Sequence, residues 1–245
     1  MDRWRDIAVI SPMRDIDINN VPYLRDQMDE LIESGMRRII LDCHDVDFID
    51  STGLAFLVSS ARRLRARGGL LSLRNVSPQV MRFLQIARLL DVLHASGSQR
   101  PSVPVLSPDE PALWTRSIAV HEGVENLSLY RHRVVELLSS LPLSRDEAFD
   151  MALAVGEALS NAYDHADDGA GCTCTVQAFS DRVVVDVRDR GRGYQIGPDE
   201  EPVATESRGR GIRLMRMLVD SVEVRYREDG PGTQVRLVKL IPSEV

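Results

Sequence analysis

The twelve residues Val155-Gly156-Glu157-Ala158-Leu159-Ser160-Asn161-Ala162-Tyr163-Asp164-His165-Ala166 carry two patterns at once. Steps of four place Glu157, Asn161 and His165 along one slowly drifting stripe of a helix. Met151, Ala152, Val155, Leu159 and Ala162 supply an apolar side. A polar stripe beside an apolar one is the ordinary pattern of a surface helix, its polar face in water. Ser144 followed by Glu147 is a capping-box signature before the apolar run, so the helix is expected over 144–166. A companion helix is expected over 125–141.

Three glycine-bearing segments follow. Asp189-Arg190-Gly191-Arg192-Gly193-Tyr194 comes directly after the strand-like Val183-Val184-Val185-Asp186-Val187-Arg188. Alone it reads as a turn, because glycine supplies positive φ and aspartate bonds nearby backbone. Arg208-Gly209-Arg210-Gly211-Ile212 stands just before a helix expected over 212–219, where glycines let backbone amides approach an anion. Gly230-Pro231-Gly232-Thr233 leads into a closing strand over 233–241. Further strands are expected over 176–180 and 222–227. Helices beside a mainly antiparallel sheet make an α/β sandwich.

Upstream, residues 96–111 concentrate Ser, Pro and Gly and read as a flexible linker. Before it, strands over 7–10, 38–43 and 70–73 alternate with helices over 21–34, 53–67 and 78–87, which implies a small α/β layer with parallel pairs. Asp50-Ser51-Thr52-Gly53 lies where an apolar segment hands over to the second helix. Such residues cap helices, since their oxygens satisfy free backbone N–H groups.

Composition excludes several alternatives. Residues 1–100 are nearly neutral, with 14 Arg against 13 Asp and Glu; the rest holds 16 Lys and Arg against 24 Asp and Glu. That balance argues against a nucleic-acid groove. No apolar run approaches the roughly 18 residues that span a bilayer, and no signal peptide is evident. Cys43, Cys172 and Cys174 read as buried thiols of a cytoplasmic protein rather than a disulfide frame. Lys239 is the only lysine. It lies near the end of the chain, so neither a G-x-x-x-x-G-K-[ST] phosphate loop nor a eukaryotic-type kinase, which needs a lysine on an early strand, can be built.

Each glycine segment is weak alone, but their order and spacing are not. Together with the Glu157–His165 segment they resemble the four nucleotide-binding boxes of the Bergerat-fold (GHKL) superfamily, nearest to anti-sigma-factor serine kinases, across 112–241. The resemblance implies ATP and Mg²⁺ as ligands. It implies that Glu157 is the general base, that Asn161 coordinates Mg²⁺ and that Asp189 receives the adenine amino group. Gly191 and Gly193 shape the pocket, Gly209 and Gly211 approach the phosphates with Arg208 and Arg210 beside them, and Thr233 lies near the adenine. His165 is a structural companion or a further nucleotide contact, and 195–207 is the lid. Phosphoryl transfer mainly requires positioning and charge neutralisation, so the lysine is not missed.

The segment Phe48-Ile49-Asp50-Ser51-Thr52-Gly53-Leu54 is similar to that of the anti-sigma-factor antagonist (STAS) family, with the resemblance covering 4–94. Asp15-Ile16-Asp17 also matches, although Arg14-Asp15 stands where the family usually has Gly-Glu. By that resemblance Ser51 is the phosphoacceptor, Asp50 its acidic neighbour and Thr52 a fallback. A phosphate adds about -1.5 to -2 charge and is tolerated at a helix N-terminus, so it would switch binding rather than unfold the domain.

The expected organisation is therefore an α/β chain. A STAS-like domain covers 1–95, a linker 96–111 and a Bergerat-fold α/β sandwich 112–245. The expected activity is a serine/threonine protein kinase in partner switching. Its acceptor is Ser51 or a STAS-domain partner, with a sigma factor or other regulator downstream, a phosphatase acting on Ser51, and homodimerisation expected from the family. The competing expectation is a non-catalytic, ATP-dependent module that sequesters a sigma factor or regulator. A histidine kinase would need a long helical hairpin bearing an acceptor histidine, and a gyrase-type ATPase would need a second domain with a catalytic lysine. Neither is present.

Overall fold

The computed structural model describes residues 7–97, 102–107, 109–120, 127–165, 171–197, 200 and 207–241. They form two compact units, Met1–Arg100 and Pro101–Val245.

In the first unit β1 (Ile7–Ile10), β2 (Arg38–Asp42) and β3 (Leu70–Arg74) make a parallel sheet in the order β1-β2-β3. All five residues of the central strand β2 are buried, as its unbroken Ile-Ile-Leu run requires of a strand covered on both faces. Helices α1 (Val21–Glu33) and α2 (Ser51–Ala66) form the crossovers, and α3 (Pro78–Ile86) follows β3. Leu24, Met28 and Ile32 of α1 join Phe56, Leu57 and Leu64 of α2 and Val80 and Leu84 of α3 in one core.

The second unit comprises β4 (Trp114–Val120), α4 (Leu127–Leu138), α5 (Arg145–His165), β5 (Cys172–Ala178), β6 (Arg182–Arg188), α6 (Ser207–Leu218), β7 (Ser221–Tyr226) and β8 (Thr233–Leu240). Its sheet is antiparallel throughout, in the order β4-β5-β6-β8-β7. Helix α5 packs against α4, α6 and strands β5, β6 and β8. Every residue from 150 to 162 is consequently buried. The polar stripe on α5 does not face water as an ordinary surface helix would have it.

Two sequence expectations change here. Strand β4 was not legible, because its mixed Thr-Arg-Ser sequence sits on an exposed edge and shows no clean alternation. Helix α6 begins at Ser207 rather than Ile212, which places Gly209 and Gly211 inside its first turns rather than before it.

The segment read as a flexible linker is anchored at both ends. Ser96 donates to the Leu73 carbonyl and accepts from Val76 N–H. Val103, Leu106 and Ala112 pack on Phe179, Val184 and Val238 of the second unit. There the Arg182 guanidinium donates to the Pro104 carbonyl.

Candidate functional site

Asp189 directly follows β6, on the side of Val185 and Val187, because alternate residues of an extended chain share a face. It is 5% exposed. Its backbone N–H donates to the Thr233 carbonyl, and its Oδ1 accepts from Gly191 N–H (2.9 Å) and Thr233 N–H (3.0 Å). That leaves Oδ2 as the oxygen with no partner among the described residues. A carboxylate held this way keeps one fixed acceptor for a donor such as an exocyclic amine.

Glycine is required around it. At Gly232 (φ +122°) a Cβ would lie 2.1 Å from the Asp189 carbonyl oxygen. At Gly193 (φ +74°) it would meet the Gly232 carbonyl at 2.7 Å and the Tyr226 ring at 2.8 Å. The loops 189–193 and 230–233 therefore interlock through their main chains. Arg227 closes the set by donating from Nη1 to the Asp189 carbonyl at 3.0 Å.

The second cluster lies between α5 and α6. Glu157 and Asn161 are one helical turn apart and each 9% exposed. Gly211 presses against both: a Cβ there would lie 2.1 Å from Glu157 Oε1 and 3.0 Å from Asn161 Nδ2. Asn161 Nδ2 is buried without a hydrogen-bond partner among the described residues. An unsatisfied buried N–H costs free energy unless an acceptor completes it, so Nδ2 fits a water or a phosphate oxygen. A hard divalent cation such as Mg²⁺ would take the amide oxygen of Asn161 and keep several waters.

Not every expected residue can be placed equally. Gly209 is buried and Arg210 exposed, while the side chains of Arg208 and His165, and residues 201–206 of the expected lid, lie outside the described residues. The three cysteines are free and buried, and no metal-binding group of His, Cys, Asp and Glu occurs among the described residues. Burial, reinforced by the Asp189 carboxylate, pushes the Cys172 thiol up to about 12.

In the first unit Asp50 caps α2. Its Oδ1 accepts from Gly53 N–H at 2.7 Å and its Oδ2 from Ile18 N–H at 3.0 Å. Both oxygens are thus committed to the fold, as the capping reading of this segment expects. Ser51 is exposed at the first helical position and Thr52 is half-buried. Asp15 and Asp17 were part of the family match, but the sequence did not show that their carboxylates bond the backbone of a platform behind α2. Asp15 Oδ1 accepts from Asp47 and Phe48 N–H at 3.0 and 2.8 Å. Asp17 accepts from Asn20 and Asn19 N–H, and these bonds hold its carboxyl below the usual range. At Gly53 a Cβ would lie 2.1 Å from the Ile16 carbonyl, so the platform and α2 meet backbone to side-chain-free backbone. The short acidic spacing ahead of α1 was the available signal.

Comparison with known proteins divides the chain the same way. Residues 2–103 match the STAS domain model and residues 121–239 the histidine kinase-like ATPase domain model. The first region includes 90 residues 34% identical to an anti-sigma-B factor antagonist of Bacillus subtilis, covering 36% of this chain and 81% of that protein. The second includes 128 residues 30% identical to an anti-sigma F factor of Thermoanaerobacter, covering 49% and 89%. An anti-sigma F factor of Clostridium acetobutylicum is 32% identical over 123 residues, covering 47% and 85%. With Ser51 at the start of α2 in the parallel α/β layer, Asp189 just after β6 of the antiparallel sheet and Glu157 and Asn161 on α5 against it, the chain belongs to the STAS family through its first unit and to the histidine kinase-like (GHKL) ATPase family through its second.

Proposed function

We propose that this chain is a partner-switching protein kinase, in which the second unit transfers the γ-phosphoryl group of ATP to a STAS-domain serine, its own Ser51 or a partner's. The observation that carries this reading is the buried Glu157–Asn161 pair against Gly211, in the same chain as an exposed serine on a capped helix. Glu157 accepts the proton of the serine hydroxyl as its oxygen bonds to the γ-phosphorus. The bond from that phosphorus to the β–γ bridging oxygen breaks, and ADP leaves with the electron pair. Asp189 Oδ2 accepts from the adenine amino group, and the amides of the first turns of α6, opened by Gly209 and Gly211, face the phosphates. Asn161 would hold Mg²⁺, which would supply charge neutralisation.

Names of relatives containing both "anti-sigma F factor" and "antagonist" support partner switching. The end effect would be exchange of a sigma factor or comparable regulator, with a phosphatase restoring Ser51, all in the cytoplasm. Homodimerisation rests on family resemblance alone. No described helix is long and apolar enough to cross a membrane.

Incubation of the full chain with Mg-ATP, followed by phosphosite mapping, tests the proposal. Phosphate should appear on Ser51 or on an added STAS-domain protein and disappear with Glu157→Ala. Tight ATP binding with no transfer to either acceptor would replace the kinase by an ATP-dependent binding module.

A further inference from the structure

Arg216 lies on α6, seven residues beyond Gly209, and is 9% exposed. A guanidinium buried this far ordinarily faces a carboxylate. Among the described residues Arg216 has none. It donates instead from Nη1 to the Glu200 carbonyl at 2.8 Å and from Nη2 to the Gly197 carbonyl at 3.0 Å.

The two residues that bear those carbonyls are also hydrogen-bonded to each other. Glu200 N–H donates to the Gly197 carbonyl at 3.2 Å, and Gly197 N–H donates to Glu200 Oε2 at 3.0 Å. One residue earlier, Ile196 pairs with Val224 of β7, its N–H donating at 3.1 Å. The chain leaving the Asp189 loop is therefore tied to the sheet at Ile196 and to α6 at Gly197 and Glu200. Arg216 thus joins Gly197 and Glu200 to the helix bearing Gly209 and Gly211. The planar, five-donor guanidinium is suited to the task, since it spans two acceptors in a fixed fork.

We propose that Arg216 is a positioning residue for nucleotide binding, which by bridging the Gly197 and Glu200 carbonyls holds the Asp189 side of the pocket at a set distance from α6. This rests on the reading that the second unit binds ATP. A ligand engaging only the Asp189 side does not sense that distance. A triphosphate that also reaches the glycines of α6 does, and loosening the tie adds an ordering cost to its binding alone.

The test compares binding of ATP and AMP to the full chain by calorimetry for wild type, Arg216→Met and Arg216→Lys, with Asp189→Asn as a control on the pocket. Arg216→Met should weaken ATP at least tenfold and AMP less than twofold. Arg216→Lys, which keeps the charge and stem but not the fork, should fall between. The proposal is overturned if either variant binds ATP as wild type does, or if ATP and AMP weaken equally, which would mark a purely structural role. Should Arg216→Met not fold, the lysine variant decides by the same ATP-to-AMP comparison. Wild type that binds neither nucleotide, or Asp189→Asn that binds both unchanged, would instead sink the underlying reading.

Discussion

At Gly211 two helices come within the space of a missing side chain. A methyl group there would lie 2.1 Å from Glu157 Oε1, so Gly211→Ala must push α6 from α5 or rotate the carboxylate. Overpacking costs about 1–3 kcal/mol, and because the atoms met are the ends of the Glu157 and Asn161 side chains the cost here falls at the low end. The variant should lower the thermal midpoint and abolish measurable ATP binding; unchanged affinity by calorimetry would show that α6 does not border the nucleotide. The cysteines give a second residue-scale expectation. Burial is the main cause that pushes the Cys43, Cys172 and Cys174 thiols each up to about 12 from a reference of 9.0. The unfolded chain then releases these protons first, so their contribution to stability is intact below pH 9 and is lost as pH rises toward 12. Ellman's reagent at pH 8 should find no reactive thiol in the native chain and three in guanidinium chloride. Of the candidate site, the residue types and order were legible because chemistry restricts them. The burial of Glu157 and Asn161 was not, since a polar stripe looks alike whether water or a second helix covers it.

Helix α2 shows how one element separates capping from signalling. Asp50 does the capping, through Gly53 N–H, and also ties down Ile18, which leaves Ser51 exposed. Asp50→Ala should therefore cost about 1–2 kcal/mol in urea unfolding, as lost caps do. Ser51→Asp places a negative charge at a helix N-terminus, where the dipole favours it by about 0.3–1 kcal/mol. Stability should be held or slightly raised, with any loss of function confined to partner binding. A Ser51→Asp midpoint as low as that of Asp50→Ala would mean that Ser51 is structural. The same element-level logic explains where sequence reading succeeded. The Ser144–Glu147 box forms reciprocally, at 2.9 and 3.2 Å, and starts α5 where expected. Strand β4 escaped because edge strands need not alternate, and the start of α6 was misplaced because glycine has poor helix propensity that tertiary packing overrode.

On the scale of the whole chain, each unit can be weighed by its own interior. The first holds a contiguous core from Ile10 to Leu93. The second closes its sheet with the 103–112 segment over Phe179, Val184 and Val238, on the face where Arg236 pairs with Asp186 at 2.9 Å. The connecting residues Val103, Leu106 and Ala112 thus pack as part of the ATPase unit, and a fragment begun at residue 113 would expose that apolar patch. Two cores in one chain predict two calorimetric transitions rather than one. A ligand stabilises only the unit that binds it, by about 2.7 kcal/mol at a hundredfold excess over its dissociation constant. Mg-ATP should accordingly raise one transition and leave the other in place, and Asp189→Asn should remove the shift. Ser51→Asp should act on the opposite transition alone. If ATP moved both transitions together, the units would be thermodynamically coupled in the resting chain, and Ser51 would already be sensing the nucleotide before any phosphate reaches it.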